Sequence, residues 1–239
     1  MTITADMLSV AIYADGADKA SILKLAANPQ IKGFTTNPTL MRKAGITDYE
    51  AFARDILPCI GGRPISFEVF SDDFEEMYTQ ARKIATWGDN VFVKIPVTNT
   101  LGASAVPLIE SLARDRVQMN VTALFTQAQV EAVSDVLRDA PPCNISVFAG
   151  RIADAGTDPL PIMQRALEIM RPHAQQTLIW ASPREVFNVV QADMIGCHII
   201  TVTPDLIAKL CSLGRDLDEF SLDTVKMFRR DAVGAGYTL

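Results

Sequence analysis

Apolar residues along the chain gather into eight short runs, at 10–14, 33–36, 65–70, 91–95, 119–125, 144–149, 177–181 and 199–203. Between them the pattern lengthens to the i, i+3, i+4 spacing of an amphipathic helix. The clearest such stretch is 72–87, where Phe74, Met77, Tyr78, Ala81, Ile84 and Ala85 form one stripe. Ser71 or Asp72 is the expected N-cap, ahead of an acidic first turn. The stretches 127–137, 160–170 and 186–194 repeat the pattern. Eight strands alternating with eight helices in 239 residues predict an α/β fold, a single (β/α)8 TIM barrel spanning 1–239. A doubly wound open sheet is the alternative, but no Gly-x-Gly-x-x-Gly turn accompanies it. No Pro/Gly/Ser linker, low-complexity tract or charge block divides the chain. The segment 219–239 follows the last barrel helix, with part of an apolar face in Leu222, Val225, Met227 and Phe228. A barrel closes without it. Docking on a neighbouring subunit and packing on its own barrel are the two expectations.

One strand carries a charge where none belongs. In Val91-Phe-Val-Lys-Ile-Pro96, Phe92 and Lys94 share one face and Val91, Val93 and Ile95 the other. An ammonium in a buried strand is costly, and losing its proton relieves the cost, so its pKa is expected to fall. A neutral, desolvated amine attacks carbonyl carbons to form a Schiff base. The bland alternatives are a lysine that snorkels out of the strand end or pairs with a carboxylate.

Polar residues collect at the other strand ends, where a barrel builds its active site. Asp15, Asn37 and Thr203 end the first, second and eighth strands. Ser66 and Glu68 share a face of the third, Asn120 and Thr122 of the fifth, Ser146 and Phe148 of the sixth. Arg151 follows the sixth strand; Ser182 and Arg184 follow the seventh. Singly, each has a bland reading: Asp15 as a helix cap, Asn37-Pro38 as a turn, Arg184 as a solvated first-turn residue. Together they supply a nucleophile, two carboxylates, amides for hydroxyl recognition and an arginine pair. Ser182-Pro-Arg184, opening a helix, suits a phosphate, with Arg151 as the second cation.

Composition narrows the rest. With 22 basic and 28 acidic residues the net charge is −6, which argues against a general nucleic-acid or anionic-membrane surface. No uncharged apolar run reaches membrane-spanning length, and residues 1–6 lack the pattern of a secretory signal. Cys59, Cys143, Cys197 and Cys211 are widely separated, as reduced cysteines of a cytoplasmic chain would be. With two histidines and no C-x-x-C pair, no zinc or iron site is expected.

Gly33-Phe-Thr-Thr-Asn-Pro-Thr-Leu40, Val93-Lys-Ile-Pro96, Asn120-Val-Thr-Ala-Leu-Phe125, Ile145-Ser-Val-Phe-Ala-Gly-Arg-Ile152 and Ala181-Ser-Pro-Arg184 resemble the successive motifs of the transaldolase family. The likeness runs in unbroken order from Asp15 to Pro204, and the tail is similar to that of the short subfamily that includes fructose 6-phosphate aldolases. The resemblance implies class I (Schiff-base) aldol chemistry on sugar phosphates in the pentose phosphate pathway, with no metal and no other cofactor. It implies that Lys94 carries the Schiff base and that Asp15 moves the proton of the C4 hydroxyl. Glu68 with Thr122 would hold a shuttling water. Asn37, Asn120 and Ser146 would hold substrate hydroxyls, and Arg151, Ser182 and Arg184 the distant phosphate. The extra helix of 219–239 makes a homo-oligomer joined through it, up to a decamer, the expected assembly.

Within the resemblance, aldolases carry glutamine where this chain has Glu68 and tyrosine where it has Phe148. Phenylalanine has no hydroxyl with which to place a water. Transfer of a dihydroxyacetone unit, from sedoheptulose 7-phosphate or fructose 6-phosphate, is therefore expected over its release. Release, transfer from a sulfonated sugar, and a non-catalytic sugar-phosphate-binding barrel are the alternatives. Val147 and Pro183 depart from the family pattern, and Pro183 bears on the shape of the anion pocket.

Overall fold

The computed structural model describes residues 3–239. Eight parallel strands close into a barrel in the order of the sequence. They are β1 (Ala11–Asp15), β2 (Ile31–Thr35), β3 (Ile65–Glu68), β4 (Val91–Pro96), β5 (Met119–Leu124), β6 (Cys143–Val147), β7 (Gln176–Trp180) and β8 (Ile199–Val202). Each of the eight apolar runs has become one strand, within a few residues of its expected bounds. Helices follow the strands and cover the barrel, with two successive helices, Pro38–Lys43 and Tyr49–Ile56, between β2 and β3.

The alternation along the strands separates two interiors. Outward side chains such as Phe67, Val93, Ile95, Val121, Ile145 and Ile200 pack against Met77, Ile84, Ile109, Leu112, Val130 and Met163 of the helices, forming one large buried core. Inward side chains form a second apolar cluster at the lower end of the barrel, Tyr13, Ile179 and Ile199 with Ala11 against them. Above this plug the inward positions turn polar: Thr35, Ser66, Lys94, Asn120, Thr122, Ser146 and Thr201 are all buried. The mouth is thus lined with groups that can hydrogen-bond.

Helix Phe74–Ala85 matches its expected stripe but not its expected start. Asp73, not Ser71 or Asp72, is the N-cap, accepting the Glu76 N–H at 2.9 Å. Asp72 is used elsewhere: its carboxylate takes the Thr100 N–H at 2.7 Å and hydroxyl at 2.6 Å, tying the loop after β3 to the loop after β4. The C-terminal helix, Leu217–Gly234, begins two residues before its expected bound, where Asp216 accepts the Asp218 and Glu219 N–H groups at 2.9 and 3.0 Å. None of its residues is buried, and Leu217, Phe220, Leu222, Val225 and Phe228 are exposed. Among the described residues no helix is long and apolar enough to cross a membrane.

Gly33 shows how tightly the plug is packed. A Cβ on it would lie 2.5 Å from the Tyr13 ring, which occupies the space a side chain would need. Gly33→Ala is expected to destabilise the fold by about 1–3 kcal/mol through overpacking, read from urea unfolding. Adding Tyr13→Leu should recover part of that loss. Simple additivity of the two changes would show that the ring is not the obstacle.

Candidate active site

The barrel register brings the mouth together. Glu68 lies opposite Lys94, Lys94 opposite Asn120, and Pro96 opposite Thr122. Paired residues of parallel strands point the same way, so Glu68, Lys94 and Asn120 enter the barrel side by side. Lys94 is 7% exposed, so it does not snorkel to bulk water. Its Nζ donates to the Thr36 carbonyl at 3.1 Å and lies 3.4 Å from Glu68 Oε2. The carboxylate-paired alternative is therefore realised, but with a partner that belongs to the same polar mouth.

Asp15, at the end of β1, accepts the Thr35 hydroxyl at 2.6 Å. Thr35 Oγ1 also meets Thr201 Oγ1. Because Thr35 has one proton and gives it to Asp15, Thr201 must donate to Thr35, which sets the direction of the chain. Burial pushes the Asp15 carboxyl above its ordinary value, while the Lys94 charge and the Thr35 bond pull it back. Burial likewise raises Glu68, opposed by the charge and hydrogen bond of Lys94 and reinforced by the like charge of Asp15. Two desolvated carboxyls therefore share the field of one amine. Both carboxyls hold their protons more tightly than exposed carboxylates do.

Asn120 is held at both ends of its amide. Its Nδ2 donates to Ser66 Oγ at 2.9 Å, and its Oδ1 accepts Ser146 Oγ at 2.7 Å. Thr122 Oγ1 is buried with no hydrogen-bond partner among the described residues. The next residue, Ala123, takes a φ of 62, and the β5–β6 register shifts between Val121 and Leu124. This bulge turns the strand just beyond Thr122, at the cost of a left-handed alanine. Asn37 is more than a turn residue: its Oδ1 caps helix Pro38–Lys43 through the Leu40 N–H at 3.0 Å. Its Nδ2 is not used by the cap.

The β6 and β7 loops form a second corner. Phe148 precedes the short helix Ala149–Asp154, packs on Phe125 at 5.8 Å, and carries the Arg151 guanidinium over its ring at 5.2 Å. A Cβ on Gly150 would fall 1.6 Å from the Ser182 carbonyl oxygen, so only glycine lets these loops touch. Ser182 itself has a φ of 61. Ser182-Pro-Arg184 does not open a helix as expected. Helix Phe187–Met194 begins later, and Asn188 Oδ1 folds back to accept the Arg184 and Glu185 N–H groups at 2.7 and 3.1 Å. The Arg184 guanidinium is ion-paired with Asp154, its Nε 3.0 Å from Oδ1. Arg151, Ser182 and Arg184 thus share one corner, with Arg184 already holding a carboxylate.

Several further groups line the mouth or support it. Thr35 and Thr201 sit on inward strand positions and could have been found by alternation. The Thr36 carbonyl, Asp154 and Tyr49, whose hydroxyl bonds the Glu68 backbone, gave no local signal.

This arrangement can be set beside known proteins. A family model described as Transaldolase/Fructose-6-phosphate aldolase matches residues 12–237. The chain belongs to that family. A "Probable transaldolase" of Roseiflexus castenholzii is 37% identical over 191 residues, 80% of this chain and 84% of the relative. Another, from Dehalococcoides mccartyi, is 35% identical over 192 residues, 80% of this chain and 85% of the relative. Among solved structures, orotidine 5'-monophosphate decarboxylase from Metallosphaera sedula superposes with a TM-score of 0.56 at 12% identity, covering 88% of this chain and 98% of that one. Mandelate oxidase gives 0.57 at 10% identity, over 87% and 69% of the two chains. These two likenesses concern the barrel alone. As a transaldolase/fructose-6-phosphate aldolase family member, the chain places the lysine of Val93-Lys-Ile-Pro96 at the mouth, between Glu68 and the Thr36 carbonyl.

A carboxyl raised by burial binds its proton more tightly in the folded than in the unfolded chain. Its stabilising contribution is full below the ordinary carboxylate range and is lost as pH rises through the raised value. Asp15→Asn, which keeps an acceptor for Thr35 and cannot ionise, should therefore gain in Tm over wild type as pH rises from 4 to 8. A Tm difference constant with pH would contradict the raised value.

Proposed function

We propose that this protein is a transaldolase that moves a dihydroxyacetone unit from a ketose phosphate to an aldose phosphate through an imine on Lys94. The observation carrying this reading is a single buried amine held between the Thr36 carbonyl and Glu68, at the mouth where Asp15 also ends its strand. Glu68 is the carboxyl within reach to accept a proton from Lys94, leaving the neutral nucleophile. Its attack on the C2 ketone gives a carbinolamine, and loss of water gives an iminium. Asp15 then takes the proton of the C4 hydroxyl, the C3–C4 bond breaks, and its electron pair passes to the imine nitrogen as an aldose phosphate leaves. The enamine adds through C3 to the carbonyl of a second aldose phosphate, and Asp15 returns its proton to the new alkoxide. Water adds to the iminium to free the product ketose and the amine.

The other groups take supporting parts. Glu68 with the unpartnered hydroxyl of Thr122 suits a water that carries protons during imine formation and breakdown. Asn37 Nδ2, Asn120 and Ser146 suit substrate hydroxyls. Arg151 and Ser182 suit the far phosphate, with Arg184 recruited from Asp154 or acting through it. Phe148 has no hydroxyl to hold a water, which favours an enamine that waits for an acceptor aldehyde.

The test is a transfer assay with sedoheptulose 7-phosphate as donor and glyceraldehyde 3-phosphate as acceptor. Turnover is expected in the wild type, and Lys94→Met should lower it by about 10³-fold or more. With fructose 6-phosphate, transfer to erythrose 4-phosphate should outrun release of free dihydroxyacetone, and Phe148→Tyr should shift the ratio toward release. Release faster than transfer in the wild type would make the protein an aldolase instead.

The exposed apolar residues of helix Leu217–Gly234 support a homo-oligomer joined through it, since no residue of this helix is buried within its own chain. A chain ending at Asp216 should elute at a smaller assembly mass than the full chain. An unchanged assembly would place the contact elsewhere.

A further inference from the structure

Strand β2 gives out before β3 does. Their pairing covers only Phe34 with Ile65 and Thr35 with Ser66. The Thr36 N–H and hydroxyl both reach the Ser66 carbonyl, at 3.1 and 2.9 Å, and the chain then turns at Asn37 into its helix. Glu68 lies two residues further along β3. On the other side of the strand, the Val69 N–H bonds the Lys94 carbonyl at 3.1 Å, so the sheet with β4 is intact. The backbone N–H and carbonyl of Glu68 face the β2 side, where no strand is left to pair them. Buried backbone groups without partners are costly, and the end of a strand lacking them frays.

Tyr49 stands in for the missing strand. Its hydroxyl accepts the Glu68 N–H at 2.9 Å and donates to the Glu68 carbonyl at 3.0 Å. A phenol can do both at once because it has a proton and two lone pairs. The ring is wedged edge-on between Phe67 and Phe70, with centroids 6.1 and 5.7 Å away, and against Trp87 at 5.9 Å. Tyr49 is also the first residue of helix Tyr49–Ile56, which Asp48 caps through the Ala51 N–H at 2.9 Å. Burial lifts the phenol above its ordinary pKa, so it keeps the proton it donates.

We propose that Tyr49 is a positioning residue for Glu68: its hydroxyl fixes the end of β3 and thereby aims the Glu68 carboxyl at the Lys94 amine. The proposal rests on Glu68 being the proton carrier of the reaction described above. Tyr49 touches the Glu68 backbone and not its carboxyl, so its effect is transmitted through strand geometry. Directly after Glu68 and Val69 the chain is open to solvent, with Phe70 63% exposed. Without the clamp, the carboxyl gains freedom to leave its place 3.4 Å from Lys94.

The test is Tyr49→Phe in the full chain, which keeps the ring packing and removes the hydroxyl. Turnover of the ketose phosphate should show kcat lowered about tenfold with KM within about twofold, the pattern of a misplaced catalytic group and not of lost substrate contacts. On a Glu68→Gln background the same change should cost less than about twofold, because the group it positions is already gone. In the substrate-free protein, 13C NMR of labelled glutamate, with the Glu68 signal assigned by its loss in Glu68→Gln, should show Tyr49→Phe moving the Glu68 titration toward the ordinary carboxylate value as water reaches it. Should Tyr49→Phe fail to fold, 4-aminophenylalanine in its place, which keeps a donor and an acceptor, should behave as wild type. 4-Fluorophenylalanine, which has no donor, should show the loss. Wild-type kcat with an unmoved Glu68 titration, or equal losses with and without the Glu68 carboxylate, would overturn the proposal. The titration needs no substrate, so a wild-type protein inactive on sugar phosphates would sink the functional reading while the clamp is still judged by its own readout.

Discussion

An amine taken out of water costs several kcal/mol unless the protein supplies partners for it. Lys94 has two, a backbone carbonyl on one strand end and a carboxylate on another. Much else in the barrel mouth serves this contact. Thr36 can offer its carbonyl because its N–H and hydroxyl are already engaged with Ser66. Glu68 reaches the amine because the β3–β4 register sets the two residues opposite each other. The ion pairs on the outer surface, such as Lys19 with Asp55 and Arg82 with Asp115, are half exposed and screened by water, so breaking one strands no charge. The buried pair is the one whose disruption would leave an uncompensated charge.

The barrel reconciles this polar mouth with a stable fold by dividing its length. Tyr13, Ile179 and Ile199 pack together inside it, and the space the Tyr13 ring needs is why Gly33 carries no side chain. Above them, short hydrogen-bonded chains fix each polar group: Thr201 to Thr35 to Asp15, and Ser146 to Asn120 to Ser66. Groups fixed in this way need not reorganise as charge moves, which is how a site gains from being buried. Thr122 Oγ1 is the exception, without a hydrogen-bond partner among the described residues and beside a strained turn of β5. A buried donor of that kind is poised for a polar atom brought by substrate or solvent.

The strands and the lysine were legible because both rest on local patterns. A two-residue alternation places Lys94 inside whatever its neighbours do, and five motifs in order identify the family. Three features were not legible, for separable reasons. The cap of helix Phe74–Ala85 moved to Asp73 because Asp72 is drawn off by Thr100, 28 residues away. Ser182-Pro-Arg184 looked like a helix start, but Asn188 reaches back to bind two N–H groups and Asp154 claims the arginine, both contacts made only by the folded chain. Tyr49, at the start of helix Tyr49–Ile56, carries no local sign of its role. Its partner is exposed only because β2 ends early, and that is a property of the sheet and not of any window of residues.

The central claim is that the Lys94 nitrogen forms a covalent bond to a sugar's carbonyl carbon. Incubation with fructose 6-phosphate, reduction with borohydride, and mass spectrometry of the digested protein tests it most directly. The account predicts a stable reduced adduct of the dihydroxyacetone unit on the peptide carrying Lys94, and none on that peptide when the sugar is omitted. Full transfer activity that survives borohydride treatment in the presence of the sugar, with no adduct on Lys94, would contradict it.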